Sequence, residues 1–147
     1  MYRTRVQQWY NQYKTGIFRF ALSILKDVQL AEDVLQEVFL RLLTGKITAE
    51  PGREKAWLYR VARNCCYDIL RKRKWEQPEQ EGEVRDESNY EYIEMISSLS
   101  QKEQEIVTLK IVGGLTHREI AKAMGMTEHA VKKRYERSIQ KLREEEK

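Results

Sequence analysis

Cysteine is nearly missing from this 147-residue chain: there are two, and they are neighbours, Cys65 and Cys66. Consecutive helical residues point about 100° apart, so the pair forms neither a mutual disulfide nor a chelate. Cys65 reads as a small core residue and Cys66 as its half-buried neighbour. His117 and His129 are the only histidines, both far off in sequence, so a metal set is not expected. Two prolines and seven glycines leave little material for turns, while Leu, Lys, Glu, Arg and Gln abound, as in an all-helical protein. No apolar run nears the roughly 20 residues of a membrane span. The opening MYRTRVQQWYNQYK lacks the apolar stretch of a signal peptide, so a cytoplasmic protein is expected. There is no Gly-rich phosphate loop and no evident nucleophile–base pair, which points away from an enzyme and from any cofactor.

Charge is plentiful, at 34% of residues, yet the net charge is only +4. The distribution says more than the sum. Arg53 to Lys74 holds eight basic residues against Glu54 and Asp68, and the segment after Thr116 is again rich in Lys and Arg. Between them, Trp75 to Glu94 carries a run of acids against a single Arg85. Two basic surfaces separated by an acidic spacer are the pattern of a chain with two nucleic-acid sites.

Hydrophobic periodicity places the helices. Phe18, Leu22 and Leu25 mark a first helix over about 6–25, ending near Lys26 and Asp27. Ala31, Val34, Leu35, Val38, Phe39, Leu42 and Leu43 form the cleanest stripe in the chain, and Gly45 follows as its stop. A Gly/Pro loop at 44–54 precedes a third helix opening around Lys55. There Leu58, Val61, Ala62, Cys65, Ile69 and Leu70 make the apolar stripe, with Tyr59, Arg60, Arg63, Asn64 and Tyr67 elsewhere on the wheel. These three helices can bury their stripes as a bundle. Glu76 to Asn89, with Val84 its one aliphatic residue, reads as a linker. The apolar positions Tyr92, Met95, Ile96 and Leu99 resume the fold. Ser100 with Glu103, and Thr116 with Glu119, have the spacing of capping boxes; Gly113 and Gly114 close the helix between them. Gly125 and Thr127 then turn the chain into a last helix.

That last pair of helices has the form of a helix-turn-helix. Val131, Tyr135, Ile139 and Leu142 are spaced to pack on Ile120, Ala121 and Met124, leaving His129, Lys132, Lys133, Glu136 and Arg137 on the free face. In such a motif the second helix enters the major groove, its N-terminal residues reaching bases and the flanking cations holding phosphates. A solvated basic face is the plainer reading. Capping, the small Ala121 and the glycine turn together favour DNA. Glu136 and Glu128 repel phosphate but suit sequence reading, since a carboxylate accepts from cytosine N4.

The third helix carries Trp57, Tyr59, Tyr67 and Trp75 among Arg60, Arg63 and the run Arg71 to Lys74. Aromatic faces beside cations are what single-strand recognition uses, and Asn64 can both donate to and accept from a base edge. An unstacked base could be held by the adjacent Gly/Pro loop. Taken singly, Trp57 reads as a core anchor and Arg71 to Lys74 as partners of a helix C-terminus.

Three segments in order resemble the extracytoplasmic-function (ECF) sigma factors, of the sigma-70 family. They are LAEDVLQEVFLRLL at 30–43, AWLYRVARNCCYDILRKRK at 56–74 and LTHREIAKAMGMTEHAVKKRYERSIQKLRE at 115–144. The resemblance implies an all-α protein of two small helical domains, a bundle at 1–75 and a helix-turn-helix domain at 91–147, joined by an acidic linker at 76–90. It implies a transcription-initiation role with core RNA polymerase (beta and beta-prime subunits) and promoter DNA as partners, and with a dedicated anti-sigma factor, often membrane-anchored, as inhibitor. Asp33, Gln36 and Glu37 would contact the polymerase. Trp57, Arg60, Arg63, Asn64 and Arg71 would open and hold the minus-ten element. Lys132, Lys133 and Arg137, with His129 and with Lys110 as a phosphate partner, would read the minus-thirty-five element. The linker would run toward the RNA-exit path, mimicking nucleic acid. Lys133 and Glu136 depart from the family's habit, so the sequence read does not carry over. A stand-alone helix-turn-helix regulator, with the bundle as a dimerisation or sensing module, would instead bind duplex DNA unaided.

Overall fold

The computed structural model describes residues 2–76 and 87–146, and among these every regular element is a helix. Helix α1 (Tyr2–Leu25) starts before the expected Val6 and gives way to α2 (Val28–Leu43) through a two-residue corner. Lys26 has φ +54, the left-handed geometry that ends helices, and Asp27 caps the next one by accepting from the Leu30 amide at 3.0 Å. After the Gly/Pro loop comes α3 (Glu54–Glu76). The linker expected at 76–90 lies largely outside the described residues, as does Val84. Its last part is helical, because α4 (Glu87–Ile96) begins there. Of the expected apolar positions, Ile96 on α4 and Leu99 just beyond it are buried, whereas Met95 is 51% exposed.

Ser100 caps α5 (Gln101–Val107) with both arms of its capping box made. The expected straight run to Gly113 does not hold. The chain widens into a π-helical turn over Thr108–Val112, where the Gly113 amide donates to Thr108 O at 3.0 Å. Thr116 then opens α6 (His117–Met124) with a second complete capping box. Gly125 turns at φ +66, and Thr127 caps α7 (Glu128–Glu145) by accepting from the Ala130 amide at 3.1 Å.

Helices α1, α2 and α3 form the first bundle, with Phe20 edge-on to Tyr59 and Tyr10 edge-on to Phe39. The predicted α2 stripe is buried except for Leu43, which is 50% exposed. Leu42 beside it is fully buried, and Leu43, about 100° further round the helix, faces out. Tyr59, expected off the stripe, is 1% exposed, and Cys66, expected half-buried, is fully buried. Both lie on the side of α3 that meets the second half of the chain rather than α1 and α2 alone. That second half shares the core: Ile106, Leu109, Leu115 and Ile120 belong to the same apolar cluster as Ile17, Phe20 and Leu58. Helix α6 packs on α3, and the π turn packs on α1. Each such side chain removed from water contributes about 1.5–3 kcal/mol, so the two halves are pressed together and not merely tethered.

Candidate nucleic-acid interface

The outward face of α7 is as the spacing predicts. Val131 is buried, and Tyr135, Ile139 and Leu142 are half-buried against the preceding helices. His129, Lys132, Lys133, Glu136 and Arg137 are all exposed. The Thr127 cap pins the helix entrance, where free backbone N–H groups and the helix dipole favour an anion. Lys110, from the π turn, reaches over the Tyr135 ring with Nζ 6.0 Å from its centre, so it stands at the flank of α7. His117, at the start of α6, sits 5.6 Å from the same ring. Burial first, then Lys110 and Lys132, hold its imidazole below the ordinary value, against a smaller opposite pull from Glu128 and Glu136.

On α3, Trp57, Arg60, Asn64 and Arg71 are exposed along one face. Trp57 is 40% exposed, so it does not anchor the core. Arg63, Asn64, Tyr67, Asp68 and Arg71 line a polar hollow of 460 Å³. Arg71 is tied to Asp68 one turn back, an exposed pair of little energetic weight. The expected role of Trp75 falls outside the described side chains. Of the C-terminal cations, Arg73 is the structural one: it lies 3.8 Å from the Asp27 cap and is largely buried with it.

Arg63 departs from expectation. Its Nε donates to Glu105 of α5 at 2.7 Å, and its guanidinium lies 4.7 Å over the Tyr67 ring. Glu105 is 1% exposed, yet a buried carboxylate was not expected in QKEQEIVTLKIV. The one clue in the sequence is its place one turn before Leu109 on the apolar side of the helix. Tyr67 also donates to this carboxylate, at 2.5 Å, and burial together with that bond pushes the phenol well above its ordinary value.

On α2, Asp33 and Gln36 are exposed, and Glu37 is held by Arg41 at 2.8 Å. Beside them Leu40 and Leu43 are about half exposed and line, with Val6, Tyr10 and Phe39, an apolar groove of 370 Å³. Of the three polar residues expected to meet a partner, Gln36 lines this groove, and Leu43, expected on the buried stripe, is part of it. Among the described residues no cluster of His, Cys, Asp and Glu is placed to hold a metal ion, and no helix is long and apolar enough to cross a membrane.

Two family descriptions match in succession, Sigma-70 region 2 over residues 9–76 and Sigma-70, region 4 over residues 90–142. ECF RNA polymerase sigma factor SigM of Bacillus subtilis is 41% identical over 71 residues, 48% of this chain and 44% of SigM. The sigma factor BldN of Streptomyces coelicolor is 29% identical over 90% of this chain and 57% of BldN, so the chain spans about half the length of these two relatives. SigX of Bacillus subtilis is 28% identical over 93% of this chain and 81% of SigX. The fold is that of the solved sigma factor RpoE, crystallised with the anti-sigma factor NepR from Bartonella quintana, with TM-score 0.78, 24% identity and 94% of each chain covered. It is also that of CnrH in complex with the cytosolic domain of CnrY, with TM-score 0.70 and 21% identity over 95% of this chain and 86% of CnrH. With both sigma regions present in order, on helices whose exposed faces carry the cations described above, this chain belongs to the sigma-70 family, in its ECF branch.

Proposed function

We propose that the chain is a promoter-specificity subunit: it binds core RNA polymerase, sets α7 in the major groove of the minus-thirty-five element, and holds the opened minus-ten strand on α3. The observation that carries this reading is the pair of separate cationic faces, Trp57–Arg60–Asn64–Arg71 on α3 and His129–Lys132–Lys133–Arg137 on α7, within one chain of sigma-70 regions. Lys110 adds a phosphate contact at the flank of α7. No bond is made or broken by the protein. Specificity comes from base contacts, and binding energy offsets the few kcal/mol of stacking lost per extruded base. Asp33, Gln36 and Glu37 supply the polymerase contact, Gln36 lining the Leu40–Leu43 groove. The working place is the cytoplasm, where the polymerase is. An anti-sigma factor as inhibitor fits the company that RpoE and CnrH keep in their solved complexes.

The test is transcription in vitro with purified core enzyme on a genomic promoter library. Promoter-dependent transcripts are expected only when the chain is added. Asn64→Ala and Lys132→Ala should each cut output about tenfold, the effect of losing one good base or phosphate contact, while leaving association with core enzyme intact. Failure to associate with core enzyme, combined with tight binding of duplex DNA by the chain alone, would overturn the reading.

A further inference from the structure

Arg63 and Tyr67 stand on the hollow side of α3, where the proposed strand would lie, yet both are already engaged by a carboxylate from the other half of the chain. Glu105 Oε1 accepts from Arg63 Nε at 2.7 Å, and Oε2 accepts from the Tyr67 hydroxyl at 2.5 Å. Oε2 also accepts from Gln101 Nε2 at 3.2 Å, and the same amide donates to Ser23 O at the end of α1 at 3.1 Å. Lys26 Nζ donates to Gln104 Oε1, closing a second link between the corner after α1 and α5. A guanidinium and a phenol converging on one anionic oxygen pair are the donors that a backbone phosphate would use.

A buried carboxylate held this way is costly unless every lone pair is answered, and here the answering groups come from α3 and from Gln101. Separating α5 from α3 breaks this charge-assisted pair and leaves the Arg63 guanidinium without its anion, a place that another anion can take. We propose, building on the sigma-factor reading, that Glu105 is an intramolecular stand-in for nucleic acid that latches the free chain closed and withholds Arg63 and Tyr67 from DNA. The latch releases when polymerase draws the two halves apart, and the DNA strand then takes the donors that Glu105 gives up. Free chain therefore binds single strands poorly, which keeps it off DNA until it has found its enzyme.

The experiment titrates the full chain against fluorescein-labelled oligo(dT) by anisotropy. E105Q keeps the shape but removes the charge and turns an amide N–H toward Arg63. It should bind about tenfold tighter than the parent, as expected when a mostly closed population becomes open. E32Q removes the same charge from an exposed position on α2, away from both the hollow and the latch, and should gain no more than about twofold. Arg63→Ala on top of E105Q should abolish the gain. No gain with folded E105Q, an equal gain with E32Q, or a gain that survives loss of Arg63 would each overturn the latch. Should E105Q fail to fold by circular dichroism, Gln101→Ala decides: it loosens the clasp without altering α3 and should gain about threefold, and no gain refutes. Transcription by the parent chain with core enzyme is run alongside. If it succeeds while the variants gain nothing, only the latch falls; if it fails while they gain, the sigma-factor reading falls and the latch stands.

Discussion

Gly16 of α1, Gly113 of the opposing turn and Tyr59 of α3 meet closely, and their contact yields a sharp stability prediction. A Cβ on Gly16 of α1 would lie 2.0 Å from Tyr59 Oη and 3.4 Å from its Cζ, and 3.5 Å from the Gly113 Cα of the opposing turn. Tyr59 is buried at 1% exposure beneath the seam, edge-on to Phe20, so its ring has nowhere easy to go. Gly16→Ala therefore meets two opposed effects. In a helix interior it gains about 1 kcal/mol from propensity. Against the Tyr59 hydroxyl it meets overpacking of about 1–3 kcal/mol, and a 2.0 Å contact lies at the upper end of that range. The net expectation is a loss of about 1–2 kcal/mol, or roughly 3–6 °C in Tm for a chain of this size. Removing the hydroxyl reverses the sign: in a Tyr59→Phe background the nearest atom is the ring carbon at ordinary contact distance, so Gly16→Ala should stabilise by about 0.5–1 kcal/mol. The double-mutant cycle, followed by urea unfolding with circular dichroism, should show a coupling of about 1–3 kcal/mol between the two positions. A Gly16→Ala variant at least as stable as the parent while Tyr59 is in place would refute this account of the seam.

Two further outcomes concern titrating groups in the interior. Burial pushes both the Cys65 and Cys66 thiols above their ordinary value of 9.0, so neither should react with Ellman's reagent at pH 8 in the native chain, and both should react after unfolding in urea. Lys26 is held at about 8 against an ordinary 10.5, first by burial, with Glu105 pulling the other way. Between these values the unfolded chain binds the extra proton, so this group's contribution to stability improves as pH rises from 8 toward 10.5. Thermal unfolding of the parent and of Lys26→Gln across that window should show the parent gaining relative to the variant; a flat difference would contradict the assignment.

Reading by periodicity worked where one face of a helix decides its fate. The α2 stripe from Ala31 to Leu42, the caps at Ser100, Thr116 and Thr127, and the free face of α7 all depend on neighbours within one or two turns. Misses occurred where a residue's partner lies far along the chain. Tyr59, off the α3 stripe, and Cys66, half-buried by its spacing, are both fully covered because α6 and the π turn pack on the side of α3 that α1 and α2 leave open. Trp57, which taken singly reads as an anchor and by resemblance as part of the minus-ten face, is 40% exposed and so does not anchor the core.

Local spacing, charge distribution and turn chemistry by themselves determined the helices, the two basic faces and the family to which they belong, because each follows from interactions between residues close in sequence. Only tertiary structure decided that the halves share one core, that Gly16 and Gly113 meet over Tyr59, and that Arg63 is already held by Glu105. Those outcomes turn on pairs separated by tens of residues, and the free energy that selects them comes from burial and desolvation at a seam that no short stretch of sequence contains.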